Sequence, residues 1–137
     1  MKRVKRFKVL LALVLSFTML MGFSTTASAS WYQHNTPATI TAGNSLTSPA
    51  KTHDGNYMAI ELSGKVTNGS TPAGVGVQLL INDVPQPNTY YIDFTQKADH
   101  KLDWLPIPVG VPIKIRYTCF GCSSVTLTRV ISYSWRG

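Results

Sequence analysis

Val111-Pro112-Ile113-Lys114-Ile115-Arg116-Tyr117-Thr118-Cys119 leads through Phe120-Gly121-Cys122 and two serines into Val125-Thr126-Leu127-Thr128-Arg129-Val130-Ile131-Ser132-Tyr133-Ser134-Trp135. In the first half Val111, Ile113, Ile115, Tyr117 and Cys119 alternate with Pro112, Lys114, Arg116 and Thr118. In the second, Val125, Leu127, Ile131, Tyr133 and Trp135 share one phase, against Thr126, Thr128, Ser132 and Ser134. Side chains on a strand point to opposite faces in turn, so a period of two marks strands with one face buried. Arg129 falls on the apolar phase between Leu127 and Ile131. A bulge or local phase change is the preferred explanation. An arginine reaching an acidic partner across a subunit interface and a face open to solvent are the alternatives.

The same rhythm recurs upstream. Met58, Ile60, Leu62 and Val66 alternate with Ala59, Glu61, Ser63 and Lys65, then Val75, Val77, Leu79 and Ile81 with Gly76, Gln78, Leu80 and Asn82. Tyr90, Ile92 and Phe94 alternate with Tyr91, Asp93 and Thr95. Turn residues punctuate these runs at Asp54-Gly55-Asn56, Asn68-Gly69-Ser70, Asn82-Asp83 with Pro85 and Pro87, and between Pro106 and Pro112. Glycine, asparagine and aspartate tolerate positive φ, and proline withholds a donor. Asn68-Gly69-Ser70 also matches a glycosylation acceptor, but a turn is the preferred reading. No helical stripe follows Ser30. The pattern predicts an all-β chain, an antiparallel β-sandwich of the jelly-roll kind.

The N-terminus has a different character. Lys2, Arg3, Lys5, Arg6 and Lys8 precede an apolar run from Val9 to Phe23, and Ala27-Ser28-Ala29 supplies a small-residue exit. This is the pattern of a secretory signal peptide over residues 1–29, cleaved after Ala29. The apolar run falls short of the roughly 20 residues that span a bilayer, so no membrane span is expected after its removal. The expected product is a secreted β domain over residues 30–137. Five of the thirteen Lys and Arg residues leave with the signal and none of the six Asp and Glu does. The remaining domain carries eight against six, close to +2 rather than the +7 of the whole chain. Nucleic-acid binding requires a clustered basic surface, and this balance argues against it.

Cys119 and Cys122 are the two cysteines. In an exported chain a pair so close is expected to form a disulfide, contributing about 2 kcal/mol through so short a loop. Phase bears on the connection. A two-residue hairpin would put the apolar faces of its strands on opposite sides, whereas a three-residue loop aligns Tyr117 with Val125. A crossing from one sheet to the other would need no pairing. A redox Cys-x-x-Cys relies on a helix N-terminus, and here both flanks read as strands. His34, His53 and His100 are scattered, so neither metal nor cofactor is expected.

Asp99, His100 and Asp103 lie together in what reads as a polar turn. As an acid–base set or a calcium ligand pair they would need further partners, so the expectation is solvated charges and no enzyme activity. The aromatic residues are better candidates. Trp31, Tyr91, Trp104 and Phe120 are the predicted ligand-binding residues, because exposed aromatic rings stack on sugars or anchor protein interfaces. Trp104 and Trp135 also fit a core edge.

Gly55-Asn56-Tyr57-Met58-Ala59-Ile60, Val77 to Asp83, Val109 to Ile115 and Ser124 to Val130 together resemble the bacterial complement-type and tumour-necrosis-factor-like jelly-roll domains. The resemblance covers residues 55–131. It implies a homotrimer packed through aromatic and aliphatic side chains, and no active site. The functional expectation is a secreted, non-catalytic binding or surface-structural module, homotrimeric if it follows that resemblance, whose ligand is a polysaccharide or cell-surface group. A carbohydrate-binding module is the alternative within binding, and a small secreted hydrolase, toxin or inhibitor is the contrasting class.

Overall fold

The computed structural model describes residues 30–137, apart from the Trp104 side chain. The predicted export signal lies outside the described residues. Nine strands run in order: β1 (Trp31–Gln33), β2 (Ala38–Thr41), β3 (Ser45–Thr47), β4 (Tyr57–Thr67), β5 (Gly74–Ile81), β6 (Val84–Asp93), β7 (Asp99–Pro106), β8 (Ile113–Phe120) and β9 (Ser124–Trp135). One sheet has the order β2-β9-β4-β7, with β1 also paired to β9, and the other has the order β3-β8-β5-β6. All pairings are antiparallel. From β2 onward, every connection except the β5–β6 hairpin passes from one sheet to the other. A five-stranded and a four-stranded layer wound in this way form a jelly roll. No helix among the described residues is long and apolar enough to cross a membrane.

The alternating runs became strands, but β6 begins at Val84 and takes in Pro85 and Pro87, read above as turn residues; it is an edge strand, where proline is tolerated. Met58, Ile60 and Leu62 of β4 face Val75, Val77 and Leu79 of β5 across the interior, with Ile113, Ile115 and Tyr117 of β8 and Val125, Leu127 and Val130 of β9. Each such side chain gains about 1.5–3 kcal/mol by leaving water. Asn82 and Asp83 have φ of 51° and 64°, the pair of positive values that a two-residue hairpin requires between Ile81 and Val84.

Two expectations about strands need correction. The segment around Asp99, read as a turn, is the edge strand β7, paired with β4 from Ser63↔Asp99 to Tyr57↔Pro106. Its charged residues Asp99, Lys101 and Asp103 occupy alternate positions, a usual protection for an edge strand that makes it read as polar loop. The second correction concerns β9. Gly64 pairs with Leu127 and Ser63 with Arg129, so Thr128 is an extra residue and forms a bulge. Leu127 and Val130 are buried, whereas Arg129 is exposed. Beyond the bulge the phase is reversed: Ser132 and Ser134 face inward, and Ile131, Tyr133 and Trp135 face out. The bulge accounts for Arg129, and the shared apolar phase predicted for the whole run is wrong after residue 128.

The Cys119–Cys122 segment joins β8 to β9 and crosses between sheets, so it is neither a two-residue nor a three-residue hairpin. Gly121, at φ 68°, makes the turn. The predicted disulfide is not formed: both cysteines are free thiols, with sulfurs 2.8 Å apart against about 2.05 Å for an S–S bond. Burial, and then the neighbouring Cys119 thiol, push the Cys122 thiol up to about 11. That keeps it protonated and poorly nucleophilic.

Candidate ligand-binding face

The phase reversal in β9 gives the outer face of the β1-β9-β4-β7 sheet its character. Register places Trp31 of β1 opposite Tyr133 of β9, and Tyr133 opposite Ala59 of β4. One row away Trp135 is opposite Tyr57. Adjacent strands lie about 4.8 Å apart, so these four rings form one patch. Tyr57 and Trp135 stack with centroids 6.1 Å apart and planes at 21°, and Tyr133 lies 6.0 Å from Trp135 at 36°. Trp31, at the free edge, is 62% exposed. Ala59 between them is fully buried although it faces outward, because the neighbouring rings cover so small a side chain.

Polar groups border the rings. The next row holds Gln33, Ile131, Glu61 and Lys101, and the one after holds Arg129, Ser63 and Asp99. The Lys101 ammonium lies 5.8 Å from the Tyr133 ring centre and 3.3 Å from an Asp103 carboxylate oxygen. Hydrogen bonding to Tyr133, and then to Asp103, raises the Lys101 pKa, so the lysine stays charged against the ring. Ser63 donates to Asp99. Glu61, Lys97, Asp99, His100 and Arg129 line an open hollow of about 180 Å³ at this end of the face.

The predicted site residues separate between the two sheets. Trp31 belongs to the patch. Tyr91 and Phe120 meet edge to face, 5.2 Å apart, on the outer surface of the other sheet, where Gly76 and Gly74 lie opposite them. Tyr91 is 67% exposed. Trp104 is a residue of β7, and its side chain is outside the described ones. Asp99, His100 and Asp103 do not converge: His100 turns inward against Phe94 and bonds the Lys97 carbonyl, Asp99 accepts from Ser63, and Asp103 pairs with Lys101. Among the described residues no cluster of three or more metal-ligating side chains is present.

Tyr133, Trp135 and Tyr57 were missed as candidates. The first two were assigned to the buried phase by carrying the alternation through Arg129. That misplaced arginine was the available signal.

β1 is held to the sheet by its ladder, by the His34 amide donating to the Val130 carbonyl, and by a 2.9 Å bond between His34 Nε2 and the Ser132 hydroxyl. Burial, then the Lys51 and His53 charges, lower the His34 pKa; burial also lowers that of His53, against the opposing charge of Asp54. Both imidazoles are therefore neutral in the folded chain at a pH where the unfolded chain, near 6.5, already takes up protons. Stability should be fullest above about pH 6.5 and fall as the pH drops through that value toward the lower folded pKa values. The expected result is a lower Tm at pH 5.5 than at 7.5, with a smaller difference in His34→Asn. A Tm that did not move over this interval would contradict it.

No protein-family model matches the chain, and no curated protein matches it. Among solved structures it is similar to the infectious bursal disease virus Gx strain, with a TM-score of 0.48 and 10% identity over 77% of this chain and 31% of that one. It is also similar to the CBM36-1 domain of a multidomain xylanase from the hindgut metagenome of Trinervitermes trinervoides, with a TM-score of 0.44 and 13% identity over 80% of this chain and 99% of that one. Carbohydrate-binding module CBM36 in complex with calcium and xylotriose gives 0.46 and 10% over 77% and 99%. The chain thus spans less than a third of the viral protein and nearly the whole of each module.

Proposed function

We propose that this chain is an extracellular, non-catalytic binding module that takes a polysaccharide along the outer face of the β1-β9-β4-β7 sheet. The observation that carries this reading is the 62% exposed Trp31 opposite Tyr133, continuous with the Tyr133, Trp135 and Tyr57 rings. A pyranose ring has apolar C–H faces and a polar rim. Aromatic rings suit the first, and Gln33, Glu61, Lys101 and Asp103 suit the second. Catalysis finds less support on this face. Glycoside hydrolysis uses two carboxyl groups, and here Asp99 is engaged by Ser63 and Asp103 by Lys101, leaving Glu61.

The test is retention on insoluble cell-wall and plant polysaccharides. Wild-type protein should be retained by at least one of them. Trp31→Ala should weaken that retention about tenfold or more, the effect of losing a central aromatic contact, while Tyr91→Ala on the opposite sheet should leave it unchanged. Retention of Trp31→Ala equal to wild type would overturn the assignment of this face. Light scattering on the same samples counts the copies per particle, and three would support the homotrimer that the resemblance implies.

A further inference from the structure

Side chains alternate along β1, so Trp31 joins the outer platform while Tyr32, opposite the buried Ser132, turns inward. The Tyr32 ring meets the imidazole of His53 edge to face, with centroids 5.0 Å apart, and its hydroxyl donates to the Thr52 carbonyl. His53 is 2% exposed, and its Nδ1 has no hydrogen-bond partner among the described residues. A ring nitrogen in that state is uncommon in a folded interior. It is tolerable while the imidazole is neutral. With a proton on both nitrogens, Nδ1 would carry an N–H and a share of positive charge with nothing to accept from it.

The charged groups around His53 do not relieve this. Asp54, the next residue, attracts the proton, but its Oδ2 accepts from the Ser30 hydroxyl. Lys51 holds its ammonium 5.3 Å from the centre of the Tyr32 ring. His34, bonded through Nε2 to the Ser132 hydroxyl, is close enough for its charge and that of His53 to oppose each other. Arg136 adds a cation at the Asp54 carbonyl. Two cations and a second imidazole thus surround one carboxylate.

Of the groups that cover His53, β1 is the one that moves at least cost. It has three residues, lies at a sheet edge and pairs only with β9, and short edge elements open locally well before the whole domain does. Its departure would lift Tyr32 from His53, give Nδ1 to water and carry Trp31 away from Tyr133. We propose that β1 is an acid-operated latch: a proton taken up at His53 favours a state with β1 detached, in which the module releases its ligand. The release rests on the polysaccharide reading above, and the latch does not.

Burial lowers the His53 and His34 pKa values while the latch is closed, and exposure returns both imidazoles to about 6.5. Well above that value neither is protonated in either state, and the latch stays shut. Below it, and down to the lowered values, the ratio of closed to open falls by up to about tenfold per pH unit for each imidazole freed.

Hydrogen exchange reads the latch without any ligand. The His34 amide donates to the Val130 carbonyl and the Ser134 amide to the Ser30 carbonyl, so both bonds require β1 to be docked. The Ala42 amide, bonded to the Ser123 carbonyl further along the same edge of β9, is the control. Between pH 7 and pH 5 the protection factors of the first two should fall about tenfold or more, and that of Ala42 should hold. His53→Leu replaces the imidazole by an apolar group and should reduce the fall to about threefold or less. Retention of wild-type protein on polysaccharide should weaken over the same interval, and that of His53→Leu much less. Unchanged protection in wild type, or an equal fall at Ala42, would overturn the latch, and neither measurement depends on the variant folding. Loss of protection at His34 and Ser134 with retention as strong at pH 5 as at pH 7 would keep the latch and overturn the placement of the ligand at Trp31.

Discussion

Gly55→Ala is expected to lower stability by about 3 kcal/mol or more, the upper end of what overpacking costs. Gly55 lies in the turn before β4, under the end of β9, where its amide donates to the Ser134 hydroxyl. A Cβ at this position would stand 2.3, 2.4 and 2.5 Å from the Trp135 oxygen, carbonyl carbon and nitrogen. These are backbone atoms paired to β4, so no side chain can rotate away and the strand itself must move. That movement would also displace Trp135 from its stack on Tyr57. In a domain of this size the loss corresponds to a Tm lower by roughly 10–20 °C. Gly43→Ala is the informative control. Its φ is 81° with nothing within 4 Å of the added atom, so only the conformational penalty of about 1 kcal/mol applies. Equal melting temperatures for the two variants would show that the Gly55 contact is not a constraint.

The second large effect is expected at the ligand face. Tyr133 is opposite Trp31, lies 6.0 Å from Trp135 and carries the Lys101 ammonium over its ring. Tyr133→Ala removes the centre of the patch and frees both neighbours to change rotamer. A residue so placed behaves as a hot spot, worth about 2 kcal/mol or more, so polysaccharide affinity should fall about 30-fold. Folding should suffer less, by about 1 kcal/mol, the order of a cross-strand aromatic pair on an outer face. Tyr133→Phe keeps the ring and loses the hydroxyl, and should retain most of the binding. An affinity for Tyr133→Ala within about twofold of wild type would move the binding site elsewhere on the molecule.

β4, β5, β8 and β9 were visible in the sequence because each keeps apolar residues on one phase for at least two full repeats, whereas β6 was visible only in its second half, through Tyr90 and Ile92, since Pro85 and Pro87 made its first half read as a turn. β7 was hidden by its own edge chemistry, since Asp99, Lys101 and Asp103 made a strand resemble a charged loop. β1, β2 and β3 are three or four residues long, too short for alternation to register. Trp31 was recognised as a candidate from its place directly after the predicted export signal. Tyr91 and Phe120 were recognised too, and they do meet, but on the opposite sheet. A recess between the sheet margins, lined by His34, Leu46, Tyr117 and Leu127 among others, had no local trace, because its walls come from segments about 70 to 95 residues apart in the chain.

The sequence by itself determined that the chain is built of antiparallel strands, where β4, β5, β8 and β9 lie, and which residues of β4, β5 and β8 meet in the core. Those properties follow from the two-residue period of an extended backbone and from turn residues, which act over a few positions. Only the tertiary structure decided the jelly-roll order, the sheet-to-sheet passage at Cys119–Cys122, and the side on which Tyr133 and Trp135 emerge. Pairing sets the last of these. The extra Thr128 has no partner on β4, and one unpaired residue reverses every side chain beyond it. Register is a relation between strands some 70 residues apart, so alternation within β9 could not report it.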